Sequence, residues 1–303
     1  MSLLNIKNVK KSFGSKLVLK DINMTLDQND FYGLVGKNGS GKTTLINLIA
    51  GINRTDNGDI LFYDHINVNE FKNKIGLMPD SEGLYRNISG YDFLHYMGRL
   101  KKINLSKQQI IQLLEKVYLE VPNNLDIKHY SFGMKKKLAI AQTLIGDPEL
   151  LIFDEPTSGV DPESAINIRQ LFSDFHQEGK TILLTSHNLN EIEKLCNKAS
   201  LLDGGKLTIS GKLASLLQNK ENTIKLLIQY KTSYSNSELI RKIQEHSFIS
   251  NIDIKNNILE IDCSSSSIND ALHSILQIND LKIVDISTRK PDLEQLFFTN
   301  NQM

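Results

Sequence analysis

The sequence predicts an α/β protein interrupted by a helical insertion and followed by a small α+β domain. Three observations carry this reading. Gly36-Lys37-Asn38-Gly39-Ser40-Gly41-Lys42-Thr43 fits G-x-x-x-x-G-K-[ST] at every fixed position. It stands between an apolar strand-like run, Phe31 to Val35, and a helix-like one, Thr44 to Ala50, closed by Gly51, which is the setting that motif requires. Leu150-Leu151-Ile152-Phe153 is a second buried-strand run, delivering Asp154 and Glu155 at its carboxyl end, where ligands sit in open parallel sheets. From about Glu221 the texture changes and no chemical motif follows.

Taken in order, Leu3 to Val9 and Leu17 to Leu26 alternate loosely, as antiparallel strands do. Between them stands Phe13, an aromatic ahead of a phosphate loop and a candidate either for a nucleobase or for the core. Gly58 to Asp64 reads as a strand ending in a turn, and Lys74 to Asp80 as a short strand stopped by Pro79. Ser89-Gly90-Tyr91-Asp92 and Ser106-Lys107-Gln108-Gln109 are capping boxes. The first opens a helix with Phe93, Leu94, Met97 and Leu100 on one face; the second precedes Ile110, Leu113, Leu114 and Val117. Tyr130-Ser131-Phe132-Gly133-Met134 opens a further helix, ended by Gly146-Asp147-Pro148. Asp161-Pro162-Glu163 supplies an N-cap, a proline at the first helical position and an early acid. Thr181 to Ser186 is another buried strand with His187 at its carboxyl end, and Asp203-Gly204-Gly205 marks a hairpin. Beyond Glu221, strands are expected at Ile224 to Tyr230 and Ile258 to Ile261, and helices at Ser237 to Glu245 and Asn269 to Leu276.

At 303 residues two domains are the default expectation. Lys plus Arg balances Asp plus Glu at 35 each, so no global field points to nucleic acid or to anionic lipid. No apolar run approaches the roughly 18 residues of a membrane span. The N-terminus lacks the layout of a signal peptide. Cys196 and Cys263 lie far apart without metal-type spacing and read as buried thiols in a reducing cytosol.

The phosphate-loop motif binds a nucleoside triphosphate. Its backbone N–H groups turn around the phosphates at the positive end of the following helix. Lys42 reaches the β- and γ-phosphates, and the Thr43 hydroxyl takes a Mg²⁺ position. Paired acids after four apolar residues need a cation, so Asp154 is assigned to the Mg²⁺ shell. Glu155, expected to point the other way along the strand, is assigned to polarising the attacking water. His187 is a candidate γ-phosphate sensor.

The order of these motifs resembles the ATP-binding subunit of an ABC transporter, from Leu3 to about Gly211. The resemblance implies a P-loop NTPase fold of the ABC type at 1–220, a mixed sheet core with a helical subdomain at about 84–145 and antiparallel strands. An accessory α+β domain at 221–303 follows. It implies Phe13 stacked on adenine, Gly36 to Thr43 and Thr44 on the phosphates, Glu155 as catalytic base and His187 closing on the γ-phosphate. Ser158-Gly159-Val160-Asp161 is the D-loop, Asp161 lying near the nucleotide. In that family two such domains sandwich two ATP molecules, so Ser131 and Gly133 of one meet the phosphate held by Lys42 of the other.

Two departures stand out. The usual Leu-Ser-Gly-Gly-Gln signature is Tyr130-Ser131-Phe132-Gly133-Met134 here, and Asp80 stands where the family mostly has a Mg²⁺-touching glutamine. The signature with Lys135-Lys136-Lys137, and the tail Pro291-Asp292-Leu293-Glu294-Gln295-Leu296-Phe297, resemble the ATPases of drug and peptide-antibiotic exporters. The implied protein is a Mg²⁺- and ATP-dependent motor, a homodimer or a dimer with a related ATPase subunit. It is peripheral at the cytoplasmic face of the membrane and serves a separate integral-membrane permease, with no nucleic acid. Leu84, Tyr85, Arg86, Ile88, Tyr91, Phe93, Tyr96, Met97 and Arg99 have the make-up of an interface core for that permease. The competing reading is an ABC-type ATPase of DNA maintenance or regulation. The roughly fifty residues between Asp80 and Ser131 are too few for the long coiled-coil arm of the DNA-maintenance class.

Overall fold

A computed structural model of the chain describes residues 1–79, 87–120, 122, 125–218, 223–244, 249–264, 267–289, 293 and 296. The chain divides into two compact units, Met1–Lys212 and Leu213–Met303. The first runs β1 (Ser2–Phe13), β2 (Lys16–Asp27), β3 (Phe31–Val35), α1 (Lys42–Ile49), β4 (Asn57–Phe62), β5 (Ile66–Asn67), α2 (Val68–Phe71) and β6 (Ile75–Met78). The helical insertion follows as α3 (Gly90–Leu100), α4 (Lys107–Lys116) and α5 (Phe132–Thr143). The unit closes with β7 (Leu150–Asp154), α6 (Pro162–Gln177), β8 (Thr181–Ser186), α7 (Leu189–Leu195), β9 (Lys198–Asp203) and β10 (Lys206–Lys212).

Two sheets form this unit, an antiparallel one in the order β2-β1-β4-β5 and a six-stranded one in the order β10-β9-β3-β8-β7-β6. In the larger sheet β9, β3, β8, β7 and β6 run parallel, and β10 returns antiparallel on the edge. Every residue of β3, β7 and β8 is buried, so these strands read as continuous apolar runs and not as alternations. One core joins the sheets: Leu4, Ile6 and Leu19 of the antiparallel sheet cluster with Leu45 and Ile49 of α1 and with Leu34, Ile152 and Leu183. Helix α1 is therefore gripped along its length, which fixes the loop that precedes it.

In the insertion α3, α4 and α5 pack pairwise. The box at Ser106 is complete, with Ser106 Oγ accepting from Gln109 N and Gln109 Oε1 from Ser106 N. At Ser89 it is not: Ser89 caps Asp92 N, but the Asp92 carboxylate takes the Ser89 hydroxyl at 2.6 Å, because an aspartate is too short to reach back to the backbone. The predicted apolar face of α3 is also narrower. Phe93 and Leu94 are buried beside Gly98, whereas Leu100 is 59 % exposed on the last turn. Phe93, expected at a partner surface, is core at 2 % exposure. Tyr96 and Arg99 face solvent, and Leu84, Tyr85 and Arg86 lie outside the described residues.

The second unit holds α8 (Leu213–Gln218), β11 (Thr223–Lys231), α9 (Asn236–Gln244), β12 (Ile249–Lys255), β13 (Ile258–Ser264), α10 (Ile268–Leu276) and β14 (Lys282–Arg289). Its division falls at Lys212, ahead of the predicted boundary at 220. From β11 onward this is a β-α-β-β-α-β run in the antiparallel order β12-β13-β11-β14, the split β-α-β arrangement of ferredoxin-like domains. Leu226, Ile228, Leu259 and Ile261 of the central strands pack against Leu239, Ile243, Ala271 and Ile275 of the helices. Cys263 is a buried thiol in this unit, as Cys196 is in the first. Of the tail motif only Leu293 and Leu296 are described.

Candidate functional site

The registers of the parallel strands assemble the site. Val35 stands opposite Ser186 and Asp154 opposite Thr185, so Gly36, Glu155 and His187 all emerge one residue past neighbouring strand ends. Open parallel sheets bind ligands at such an edge.

Loop residues Lys37, Asn38 and Gly39 are exposed, while Gly36, Ser40, Gly41 and Lys42 are buried. Gly41 N-caps α1 at φ 113, and no side chain caps the helix. Its amides and dipole therefore face the loop without a protein partner from a capping side chain. A Cβ on Gly41 would lie 2.8 Å from Leu19 Cδ2, so the first hairpin lies against the loop. Ser40 Oγ is buried with no hydrogen-bond partner among the described residues. Thr44 follows Thr43 on the first turn of α1, half-buried.

Lys42, 7 % exposed at its side chain, donates to Gly36 O at 2.7 Å and stands 3.4 Å from Glu155 Oε1. Thr43 Oγ1 donates to Asp154 Oδ2 at 2.8 Å. The other Asp154 oxygen accepts from Thr185 Oγ1 at 2.5 Å. The strand alternation expected for Glu155 does not hold. Strand β7 ends at Asp154, and Glu155 takes φ 48, where it donates N–H to Thr185 O (3.2 Å) and Thr185 Oγ1 (3.0 Å). The turn brings both carboxylates to the same loop, Asp154 onto Thr43 and Glu155 onto Lys42. Glu155 Oε2 also meets His187 Nδ1 at 2.8 Å, His187 being 62 % exposed.

Ser131, Gly133, Asp161 and Phe13 take no part in these hydrogen bonds and ion pairs. Ser131 is exposed and N-caps α5, its hydroxyl accepting from Met134 N at 3.2 Å. Gly133 is buried against Ser164 in the first turn of α6, where a Cβ would collide. Asp161 N-caps α6 through Ser164 N at 2.9 Å, and that backbone N–H holds its carboxyl below the ordinary range. Phe13 is no core residue: it ends β1 half exposed, with the Lys11 ammonium 5.4 Å from its ring centre. Asp80 lies outside the described residues.

Sequence reasoning passed over several residues here. Thr185 binds both Asp154 and the Glu155 amide, and nothing in a run of buried strand residues marks a threonine as more than filler. Glu191, 1 % exposed, accepts from Ser186 Oγ and Thr157 Oγ1; its signal was an acid four residues after His187 on a helix. Lys136, buried in α5, donates to Glu155 O at 3.4 Å, within a lysine run that reads as a solvated face. Cys196 is held protonated, first by burial and then by the Glu191 charge.

The donors suit a hard divalent cation. Asp154 is 1 % exposed, forms no ion pair among the described residues and touches only hydroxyls. No three His, Cys, Asp or Glu side chains cluster to cage an ion among those residues. One carboxylate, one hydroxyl and substrate phosphates is the usual Mg²⁺ arrangement.

Residues 19–158 match the family model described as ABC transporter. The linearmycin resistance ATP-binding protein LnrL of Bacillus subtilis (strain 168) is 29 % identical over 303 residues, covering 97 % of each chain. The lantibiotic transport ATP-binding protein SrtF of Streptococcus pyogenes is 35 % identical over 207 residues, covering 68 % of this chain and 90 % of its own. A solved ATP-binding subunit of an ABC transporter superposes with TM-score 0.64 at 25 % identity, over 72 % of this chain and 92 % of its own. The fold is that of a P-loop NTPase, and the chain belongs to the ABC transporter family, as an ATP-binding subunit.

Proposed function

We propose that the chain is the ATP-hydrolysing motor of an exporter of drugs or peptides, dimeric in its ATP-bound state and attached to a separate membrane permease. The observation that carries hydrolysis is the meeting of Lys42, Thr43, Asp154, Glu155 and His187 at one strand edge. Export is supported by the names of the relatives, concerned with linearmycin resistance and lantibiotic transport. No helix among the described residues is long and apolar enough to cross a membrane, which suits a peripheral subunit at the cytoplasmic face.

The residues divide the work as follows. Loop amides from Gly36 to Thr44 and the N-terminus of α1 hold the phosphates, and Lys42 neutralises the β- and γ-oxygens. Phe13 offers a half-exposed face to the adenine. Thr43 and Asp154 would hold Mg²⁺, with Asp80 assigned to the same ion from its place in the sequence alone, and the ion would supply charge neutralisation on the transferring phosphoryl group. Glu155 accepts the proton of the attacking water; the broken P–O bond leaves ADP, and the water oxygen leaves in phosphate. His187 fixes the acceptor oxygen of Glu155 through their 2.8 Å contact and reaches the γ-phosphate from its exposed position. Ser131, Gly133 and Asp161 contribute across the dimer.

Glu155→Gln tests this directly. Loss of a general base lowers rate by about 10² to 10⁴, so phosphate release should nearly vanish while ATP still binds. Turnover like that of the unmodified chain would defeat the assignment.

A further inference from the structure

We propose that Glu191 is a positioning residue that brackets His187 and ties it to the segment leaving Glu155; the proposal rests on the hydrolytic roles given above to Glu155 and His187. Glu191 is 1 % exposed and forms no ion pair among the described residues. Its Oε1 is buried without a hydrogen-bond partner there. A carboxylate held in that state is costly, and capping α7 does not require it, because Asn188 already caps the helix through Glu191 N.

What the carboxylate does is gather two hydroxyls from separate segments on one oxygen. Oε2 accepts from Ser186 Oγ at 2.7 Å and from Thr157 Oγ1 at 3.0 Å. Ser186 Oγ in turn accepts from Asn188 N at 3.0 Å, and Asn188 Oδ1 accepts from Glu191 N at 3.3 Å. His187 is thus the middle residue of a closed ring through Ser186, Glu191 and Asn188. Its own side chain is exposed and, among the described residues, held by Glu155 Oε2 alone. Thr157 belongs to the turn after Glu155, whose carbonyl takes Ser158 N at 3.2 Å. One buried oxygen therefore sets the distance between the residue that carries the base and the residue that touches it. Glu191 shares no hydrogen bond or ion pair with Lys42, Thr43 or Asp154, so nucleotide affinity should not depend on it.

The test uses the full chain and steady-state phosphate release. Glu191→Leu keeps size and removes both acceptors; a misplacement of about 1 Å lowers rate about 100-fold, so kcat should fall about 10- to 100-fold with KM for ATP within about threefold. Glu191→Gln keeps an acceptor and puts an amide where Oε1 has no partner, and it should recover most of the rate. In a His187→Ala background, Glu191→Leu should add little further loss, which a general structural defect would not mimic. If Glu191→Leu does not fold, Thr157→Val and Ser186→Ala each cut one arm, and each should lower kcat with KM unchanged. Unaltered kcat in Glu191→Leu, loss of ATP binding in step with kcat, or losses additive with His187→Ala would overturn the proposal. Glu155→Gln run in parallel separates the readings: if it leaves phosphate release intact, the hydrolytic assignment has failed, and not the bracket.

Discussion

Thr185 shows how much of the site rests on one hydroxyl. Wholly buried, it donates to Asp154 and accepts from the amide of Glu155, so it aims one carboxylate at Thr43 and holds the turn that presents the other. Thr185→Val has the same shape and no hydroxyl, and it strands Asp154 Oδ1 in the interior. A buried group left unpaired costs about 1–3 kcal/mol. Thermal melting should register that loss, phosphate release should fall about tenfold or more, and Thr185→Ser should recover most of both. Unchanged melting and rate in the valine variant would show the hydroxyl to be idle. Lys42, Thr43, Asp154 and His187 were legible in the sequence because their spacing is tied to a phosphate loop or a strand end. The inward turn of Glu155 was not, since alternation predicts side-chain direction only while the strand lasts. Thr185 was invisible because threonine and valine fill a buried strand equally well.

Among elements, the two helix starts of the insertion differ in a way that can be measured. Ser106 is exposed and its box is reciprocal, so Ser106→Ala should cost about 1 kcal/mol, the usual value of an N-cap. Ser89 is 4 % exposed and donates to a carboxylate as well as capping. Water replaces a buried cap less readily than an exposed one, so Ser89→Ala should cost more, about 1–3 kcal/mol. Urea unfolding of the two variants decides it; the opposite ranking contradicts the account. Central strands and long helices could be read from apolar runs and caps. Helix α7 could not, because it buries only Glu191 and Ile192 and so shows no stripe. Strands β12 and β14 were missed for a related reason. They are the outer strands of their sheet, and β14 leaves Val284 54 % and Ile286 41 % exposed, so burial imposes no clean period on them.

At the scale of the whole molecule, Ser131 and Lys42 have separate places in one chain, and Ser131 faces solvent. If Ser131 completes the phosphate site of a second copy, Mg-ATP should convert the Glu155→Gln chain from monomer to dimer by light scattering, and Ser131→Arg should prevent it. A monomer at every ATP concentration would refute the shared site. The last prediction concerns the division at Lys212. The core that grips α1 is built from residues between Leu3 and Leu207, and the core of the second unit from residues between Leu226 and Ile283. Neither cluster contains a residue of the other, and every described residue given a phosphate or Mg²⁺ role lies in the first. A chain ending at Lys212 should therefore fold and bind a fluorescent ATP analogue within about threefold of the full chain, since about 0.7 kcal/mol separates affinities that differ by that factor. Its melting should still depend on nucleotide, because a ligand bound only by the folded state raises stability by mass action. A truncated chain that aggregates, or melts at the same temperature with and without nucleotide, would mean that the nucleotide unit needs Leu213–Met303 to hold its fold.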